Sequence, residues 1–303
     1  MISQEGVRFE LKPWSCPICQ TSREREIGYR GGEYQREGKG VATRVVQCRN
    51  CSLLYANPFP VATSLPDLYG DPEHYFSGHN SASKVKANER LLVRLNEFSA
   101  HPIPVLDVGS GLGELLVAAR NLGIEAEGIE ISPSMVAAAA HRSGVNSTAI
   151  SIERAAELWP GRFGAVVLNA VLEHVYDPRA MIEAASILMR PGGVLYIDVP
   201  NEPSLPTMLG NAVRRLLGSK AVYNLSPTWE PFHVYGFNPR SLRILLGRYG
   251  FHVRHIRVHA NGDFPSKGRA LDRAACLAAR AAGAVSNLTG TANNLSLWAV
   301  KNG

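Results

Sequence analysis

The stretch Val105-Leu106-Asp107-Val108-Gly109-Ser110-Gly111-Leu112-Gly113-Glu114 decides how the rest of the chain is read. Three apolar residues flank one acid, three glycines follow at alternate positions, and an apolar helical pattern continues through Leu115, Leu116, Ala118 and Ala119. That order predicts strand, tight turn, helix. Glycines let the backbone approach a ligand closely, and the helix start offers free N–H groups and the positive end of its dipole. The element is a cofactor cradle. A dinucleotide fingerprint would need glycine at position 114, and the Glu114 carboxylate stands where pyrophosphate should rest.

Outward from the turn, Ala126-Glu127-Gly128-Ile129-Glu130-Ile131-Ser132-Pro133 predicts a second strand ending in an acid. A carboxylate at Glu130 can accept both hydroxyls of a ribose. The spacing Asp-x-Gly-x-Gly-x-Gly resembles motif I of the class I S-adenosylmethionine-dependent methyltransferases, in which the turn passes under the aminoacyl part of the cofactor. The resemblance implies S-adenosylmethionine on Asp107, Gly109, Ser110, Gly111 and Gly113, with Glu130 and Ile131 on the sugar side. The fold it implies is α/β, a doubly wound, seven-stranded, mostly parallel Rossmann-like sheet, preceded here by a small zinc-ribbon domain.

The ribbon is read from four of the five cysteines. They come as Cys16-Pro-Ile-Cys19 and Cys48-Arg-Asn-Cys51, and two such knuckles supply the four soft ligands of a tetrahedral Zn²⁺ site. Four thiolates leave no open position, so the metal would be structural. Disulfides compete, but nothing in the sequence points to an oxidising compartment. Glycines 31, 32, 38 and 40 punctuate the intervening stretch, and Ala42–Gln47 alternates as a strand. The expected domains are a ribbon over 1–60, a linker and cofactor-covering helical segment over 61–100, and a core over 101–303 with a lid near 202–228. In the linker, Leu68-Tyr69 and His74-Tyr75-Phe76 resemble a family segment that folds over the cofactor, which would make Tyr75 a cofactor contact.

Farther along, a helix is predicted over about Ser83–Phe98 and another over Ser134–Arg142, then a weak strand at Ser147–Ile150. Relatives usually carry an acid for the adenine amine after that strand; here Ser151 and Ile152 follow, so serine or backbone would have to serve. The continuous apolar run Gly164–Asn169 predicts a strand buried on both faces. It delivers Leu172-Glu173-His174 to the sheet edge, similar to the family's Leu-Glu-His signature, with Asn169 as a cofactor-side residue. Asp177 and Pro178 open a helix, and Arg190-Pro191-Gly192-Gly193 turns the chain into the strand Val194–Val199. A short basic helix over Met208–Leu217 follows. His233-x-Tyr235-x-Phe237 precedes a helix at Ser241–Tyr249 and strands at Phe251–His259 and Asn294–Val300. An alanine-rich helix is expected over Lys267–Val285, packed on the sheet.

Methyl transfer from a sulfonium needs alignment and removal of a proton from the acceptor. His233 is the expected base, with Tyr235 and Glu230 orienting it or the substrate. His174 is the second candidate, its alternative role being a hydrogen bond that supports its loop.

Composition bounds the partners. The 303 residues are 45% hydrophobic and 19% charged, with a net charge of +6. Residues 101–200 carry 6 Lys/Arg against 11 Asp/Glu, and residues 201–303 carry 13 against 4. The basic C-terminal third suits an anionic small-molecule acceptor, such as a sugar, nucleotide-linked sugar or secondary metabolite. No apolar run reaches ~18 residues and the start lacks a signal-peptide pattern, so a cytoplasmic protein with no membrane partner is expected. An RNA methyltransferase gripping nucleic acid through the ribbon is an alternative. It is disfavoured because residues 1–60 hold 9 Lys/Arg against 6 acids, without a basic-aromatic stripe. A non-catalytic cofactor-binding module is the third reading.

Overall fold

Alternating residues in the first 60 positions and continuous apolar runs beyond position 104 produce two kinds of sheet in the computed structural model, which describes residues 7–63, 81–99, 101, 103–260 and 283–303. The strands are β1 (Phe9–Lys12), β2 (Glu24–Arg30), β3 (Thr43–Cys48), β4 (Leu54–Ala56), β5 (Phe59–Ala62), β6 (Val105–Val108), β7 (Ala126–Ile129), β8 (Phe163–Asn169), β9 (Met189–Pro200), β10 (Tyr235–Gly236), β11 (Phe251–His259) and β12 (Asn294–Lys301). The helices are α1 (Ser81–Leu95), α2 (Glu114–Leu122), α3 (Pro133–Ser143), α4 (Ile152–Leu158), α5 (Pro178–Leu188), α6 (Leu205–Leu216) and α7 (Pro239–Gly247). The chain divides into two compact units. The first comprises Met1–Val61, Asp198–Leu242 and Ile256–Ser296; the second comprises Ala62–Ile197, Arg243–His255 and Leu297–Gly303.

In the first unit, β2, β3 and β4 form an antiparallel meander, with Val45 opposite Ala56 and Val46 opposite Tyr55. Its edges are covered by a segment far along the chain. Tyr235 and Gly236 of β10 pair with Tyr55 and Leu54 of β4, and Ala221 bridges to Tyr29 of β2. An exposed strand edge invites unwanted pairing, and covering both sides removes that liability. Residues 202–228, expected as a lid on the core, group with the ribbon residues in this unit.

The six-stranded sheet has the order β11-β12-β9-β8-β6-β7. Val105–Val108 pairs in parallel with Ala126–Ile129 on one side and with Ala165–Leu168 on the other. The fold is the expected mixed α/β class with one strand fewer. The missing one is the weak third strand expected at Ser147–Ile150, which is reduced to a parallel bridge between Ile129 and Thr148, while the expected closing strand at Asn294–Val300 is present as β12. The expected turn at 190–193 is absorbed into β9, where Gly193 runs so close to β8 that a Cβ would meet the Gly164 carbonyl oxygen at 3.1 Å.

Helix boundaries in the second unit follow their caps. Ser132 accepts from the Met135 amide with Pro133 at the first position of α3, and Asp177 accepts from Arg179 and Ala180 ahead of Pro178 in α5. The core joins Leu91, Leu92 and Leu95 of α1 to Leu115, Ala118 and Ala119 of α2, over Val105, Val167 and Val194. Trp298 closes it, stacked on Phe98 at 5.6 Å and covered by the Arg94 guanidinium at 4.4 Å. The expected helix over Lys267–Val285 falls, through residue 282, outside the described residues, as do Tyr69 and the segment His74-Tyr75-Phe76. Among the described residues no helix is long and apolar enough to cross a membrane.

Candidate functional site

The chain leaves β6 at the point where strand order reverses, with β7 on one side and β8 on the other, and parallel sheets bind ligands at such crevices. There the glycine turn adopts φ values of +68° at Gly109, +50° at Gly111 and +78° at Gly113. Gly113 must be glycine on two counts, because a Cβ would also stand 2.5 Å from the Val145 side chain. The Gly109 and Ser110 amides donate to the Ile129 carbonyl, and the Gly113 amide donates to the Ser110 carbonyl. The turn is thereby fixed to the end of β7.

Three acids surround it. The Glu130 carboxylate accepts from the Gly111 amide at 3.1 Å and from the Ser132 amide at 3.0 Å. Glu114, buried in the first turn of α2, accepts from the Ser81 hydroxyl at 3.2 Å, and the helix dipole favours a negative charge there. Asp107 is buried, and its pKa is pushed up to about 8 by desolvation first and by Glu114 and Glu130 after that. A carboxyl so placed ionises readily only when positive charge arrives beside it. The Ser110 hydroxyl meets that of Ser147 at 2.6 Å.

Of the other expected contacts, Ile131 is exposed and Asn169 lies exposed at the end of β8. Tyr75 lies outside the described residues. Ser151, considered for adenine, caps α4 by accepting from the Arg154 amide. His174 sits in the turn after β8, its amide bonded to the Val171 carbonyl and its Nε2 3.8 Å from the buried Glu173 carboxylate.

His233 and Tyr235 belong to the first unit. His233 is clamped to Ser226, whose amide donates to the His233 carbonyl and whose hydroxyl accepts from the His233 amide. Burial lowers its imidazole to about 4. Tyr235, expected to orient the base, is 1% exposed; its ring stacks on Phe59 at 5.5 Å and meets Phe237 edge-on. Glu230 is exposed.

The four cysteines converge. Sγ of Cys16 lies 3.4 Å from that of Cys51, Cys19 the same distance from Cys48, and all four sulfurs fall within 4.8 Å of one another. Four thiolates ~2.3 Å from zinc stand about 3.8 Å apart, so this set fits the metal and is too open for disulfides. The knuckles are built alike: Gln20 and Ser52, each following the second cysteine, have φ of +58° and +67°. The Asn50 amide donates to the Cys48 sulfur at 3.4 Å. The Cys16 thiol is lowered by its hydrogen bond with Cys51. Cys48 is pushed up to about 11 by burial, and Cys51 is raised by Cys16 and by burial.

Sequence reasoning missed a buried polar network in the first unit. The Arg30 guanidinium donates to the Leu225 carbonyl at 2.9 Å and lies 4.8 Å over the Trp229 ring. Glu202 accepts from Asn224 and Thr207, and burial raises it to about 7. Its members are dispersed between positions 30 and 229, and no local motif marks them.

Against known proteins, a family model described as a methyltransferase domain matches residues 80–256. Among similar curated proteins, the ubiquinone biosynthesis O-methyltransferase of Xanthomonas campestris pv. campestris (strain B100) is 39% identical over 102 residues, 32% of this chain and 43% of that protein. The protein of the same name in Xanthomonas axonopodis pv. citri (strain 306) is 31% identical over 173 residues, 54% of this chain and 70% of its own. The first match thus spans less than half of its relative's length. The magnesium protoporphyrin IX methyltransferase of Synechocystis PCC 6803, solved with bound SAH, superposes with a TM-score of 0.50 at 16% identity, covering 78% of this chain and 98% of that one. That likeness is one of fold.

Proposed function

From the premise that this chain belongs to the class I S-adenosylmethionine-dependent methyltransferases, we propose that it transfers the cofactor's methyl group in line to a small-molecule acceptor. The observation that carries this reading is the Glu130 carboxylate held against the Gly111 amide of a three-glycine turn at the sheet's switch point. When bound, S-adenosylmethionine supplies a methyl group on a sulfonium, with a neutral thioether as leaving group. Glu130 would hold the ribose hydroxyls, and Asp107 with Glu114 would supply the negative charge that suits a cationic ligand. Gly109–Gly113 would let the backbone approach its aminoacyl end.

Alignment is the chain's main contribution, which can supply about 7–11 kcal/mol of barrier reduction. Proton removal from the acceptor falls to a histidine. A base works best with a pKa near the working pH, and His233 at about 4 is too weak to lead. His174, on the turn after β8 in the same unit as the cradle, takes that role, with Glu173 beside it to stabilise the imidazolium. The name shared by the relatives, ubiquinone biosynthesis O-methyltransferase, supports an oxygen acceptor. The basic C-terminal third supports an anionic one, with a sugar, nucleotide-linked sugar or secondary metabolite as the classes to screen. The Cys16, Cys19, Cys48 and Cys51 set would hold a structural zinc.

Calorimetry with S-adenosylmethionine and with its demethylated thioether tests the premise, and acceptor screening with labelled methyl tests the transfer. His174→Ala is expected to keep cofactor affinity and lose turnover by a hundredfold or more, ~10²–10⁴ being the usual worth of a base. Full turnover in His174→Ala and loss in His233→Ala would reverse the assignment. No cofactor affinity in the intact protein would remove the enzymatic reading.

A further inference from the structure

Helix α6 is mounted the wrong way round for a globular protein. Its apolar residues Met208, Leu209, Val213 and Leu216 fall within an arc of about 140°, and all four are exposed, Leu216 at 87%. Leu217, the next residue, is 80% exposed, and no residue of the helix is buried. Its attachment to the first unit runs through the opposite, polar face. Asn211 donates to Asn224 at 2.7 Å, Thr207 donates to Glu202 at 3.1 Å, and the Arg214 guanidinium lies 3.9 Å over the Tyr223 ring. Gly210 is the contact point, since a Cβ there would stand 2.7 Å from Tyr223. An amphipathic helix gains stability by burying its apolar stripe, so one anchored by its polar side is presenting that stripe to something else.

Charge selects the occupant. Between Glu202 and Glu230 the chain has no acid, while Arg214, Arg215 and Lys220 lie on α6 or just after it. Beside the end of the helix opens a cavity of about 510 Å³ lined by Arg25, Arg215 and Lys220, with Glu26 the one acid on its wall. A second copy would bring the same cations against these. An anionic bilayer satisfies both halves: its acyl region takes the leucines, and its headgroup phosphates meet Arg215 and Lys220. We propose that α6 lies in the surface of an anionic phospholipid membrane, with the cation-lined cavity at the headgroup level. This departs from the expectation of no membrane partner, which rested on the lack of a long apolar run and of a signal-peptide pattern. The proposal does not depend on methyl transfer.

Co-sedimentation of the full chain with vesicles of pure phosphatidylcholine and of phosphatidylcholine with 30% phosphatidylglycerol is the test, the latter fraction being about one lipid in three. Binding is expected on the anionic vesicles, weakened by salt. Leu209→Glu with Leu216→Glu should lower it at least about tenfold by removing apolar burial, and Arg215→Gln with Lys220→Gln about thirtyfold. All these positions are exposed, and unchanged circular dichroism and melting temperature establish that the variants fold. Equal binding to both vesicle types, or no binding to either, overturns the proposal. So does a concentration-dependent dimer that Leu216→Glu dissociates while vesicles capture nothing, which would assign the stripe to a second copy. Inorganic phosphate that binds the protein in solution while vesicles capture nothing would leave the cavity a free-anion site and also overturn it.

Discussion

Glu130 and Gly111, nineteen residues apart in sequence, are joined by a 3.1 Å hydrogen bond from the glycine amide to the carboxylate. The bond places the acid that ends β7 over the turn that follows β6. Glu130→Gln keeps the shape and removes the charge. Charge-assisted hydrogen bonds are worth about 1.5–3 kcal/mol each, so cofactor affinity is expected to fall roughly ten- to a hundredfold. Calorimetry with the demethylated cofactor reads the loss, and an unchanged dissociation constant would place the ribose elsewhere.

Gly113 and Gly123 flank α2 with similar backbone angles, φ +78° and +66°, but with different surroundings. At Gly123 a Cβ would meet nothing within 4 Å, whereas at Gly113 it would run into Val145 at 2.5 Å. Gly123→Ala should therefore cost only the left-handed backbone penalty of about 1–2 kcal/mol. Gly113→Ala adds a steric clash in a packed region and should cost about 1–3 kcal/mol more. Urea unfolding of the two variants compares them directly. Equal losses would mean that Val145 yields freely.

The strand, glycine turn and helix were legible because their signals are local. Glycine spacing, Asp107 and the acid-ended strand at Glu130 are all short-range signals, and the cysteine pairs likewise carry their geometry in four-residue motifs. The weak strand at Ser147–Ile150 was overestimated because β-propensity without a partner's packing says little about how far a ladder extends. The covering of the ribbon sheet by Tyr235, Gly236 and Ala221 was not legible, since pairing at a separation of nearly 200 residues leaves no local trace. Tyr235 shows the same limit. Its spacing from His233 suggests a shared site, while its stacking on Phe59 and pairing with Tyr55 come from residues nearly 180 positions away.

The cysteine cluster predicts one zinc per chain by elemental analysis of protein purified without chelator. Structural zinc contributes on the order of 10 kcal/mol in small metal-folded domains. Cys51→Ser, which removes a fully buried ligand, should release the metal and lower the melting temperature of the ribbon unit markedly. A chelator should reproduce the effect in the wild type. A metal-free preparation that melts at the same temperature would leave the cysteines as ordinary core residues.

His233 makes an acid-side prediction. Its folded-state pKa of about 4 lies below the ordinary 6.5, so between those values the unfolded chain binds a proton that the folded chain refuses. Stability from this group is therefore full above about pH 6.5 and declines as pH falls toward 4. His233→Gln removes the titration. Its stability relative to the wild type should improve steadily as pH is lowered through that window, measured by urea midpoints at half-unit steps. A constant difference would mean that the imidazole is solvated.

Asp107 predicts the opposite slope and links stability to binding. Its pKa of about 8 stands above the ordinary 3.8, so across that window the folded chain keeps a proton that the unfolded chain has lost. The contribution to stability is present below pH 4, falls as pH rises, and is gone above about 8. Asp107→Asn abolishes the slope, and its advantage over the wild type should grow with pH. A cation bound at the turn lowers the pKa of Asp107 again, because opposite charge favours the ionised form. Cofactor binding near neutral pH should therefore release up to about one proton, with affinity rising as pH goes up through the same range. Calorimetry at pH 7 in two buffers of different ionisation enthalpy measures that proton. Wild type is expected to show release and Asp107→Asn almost none, while equal heats in both buffers for the wild type would mean that no positive charge approaches Asp107.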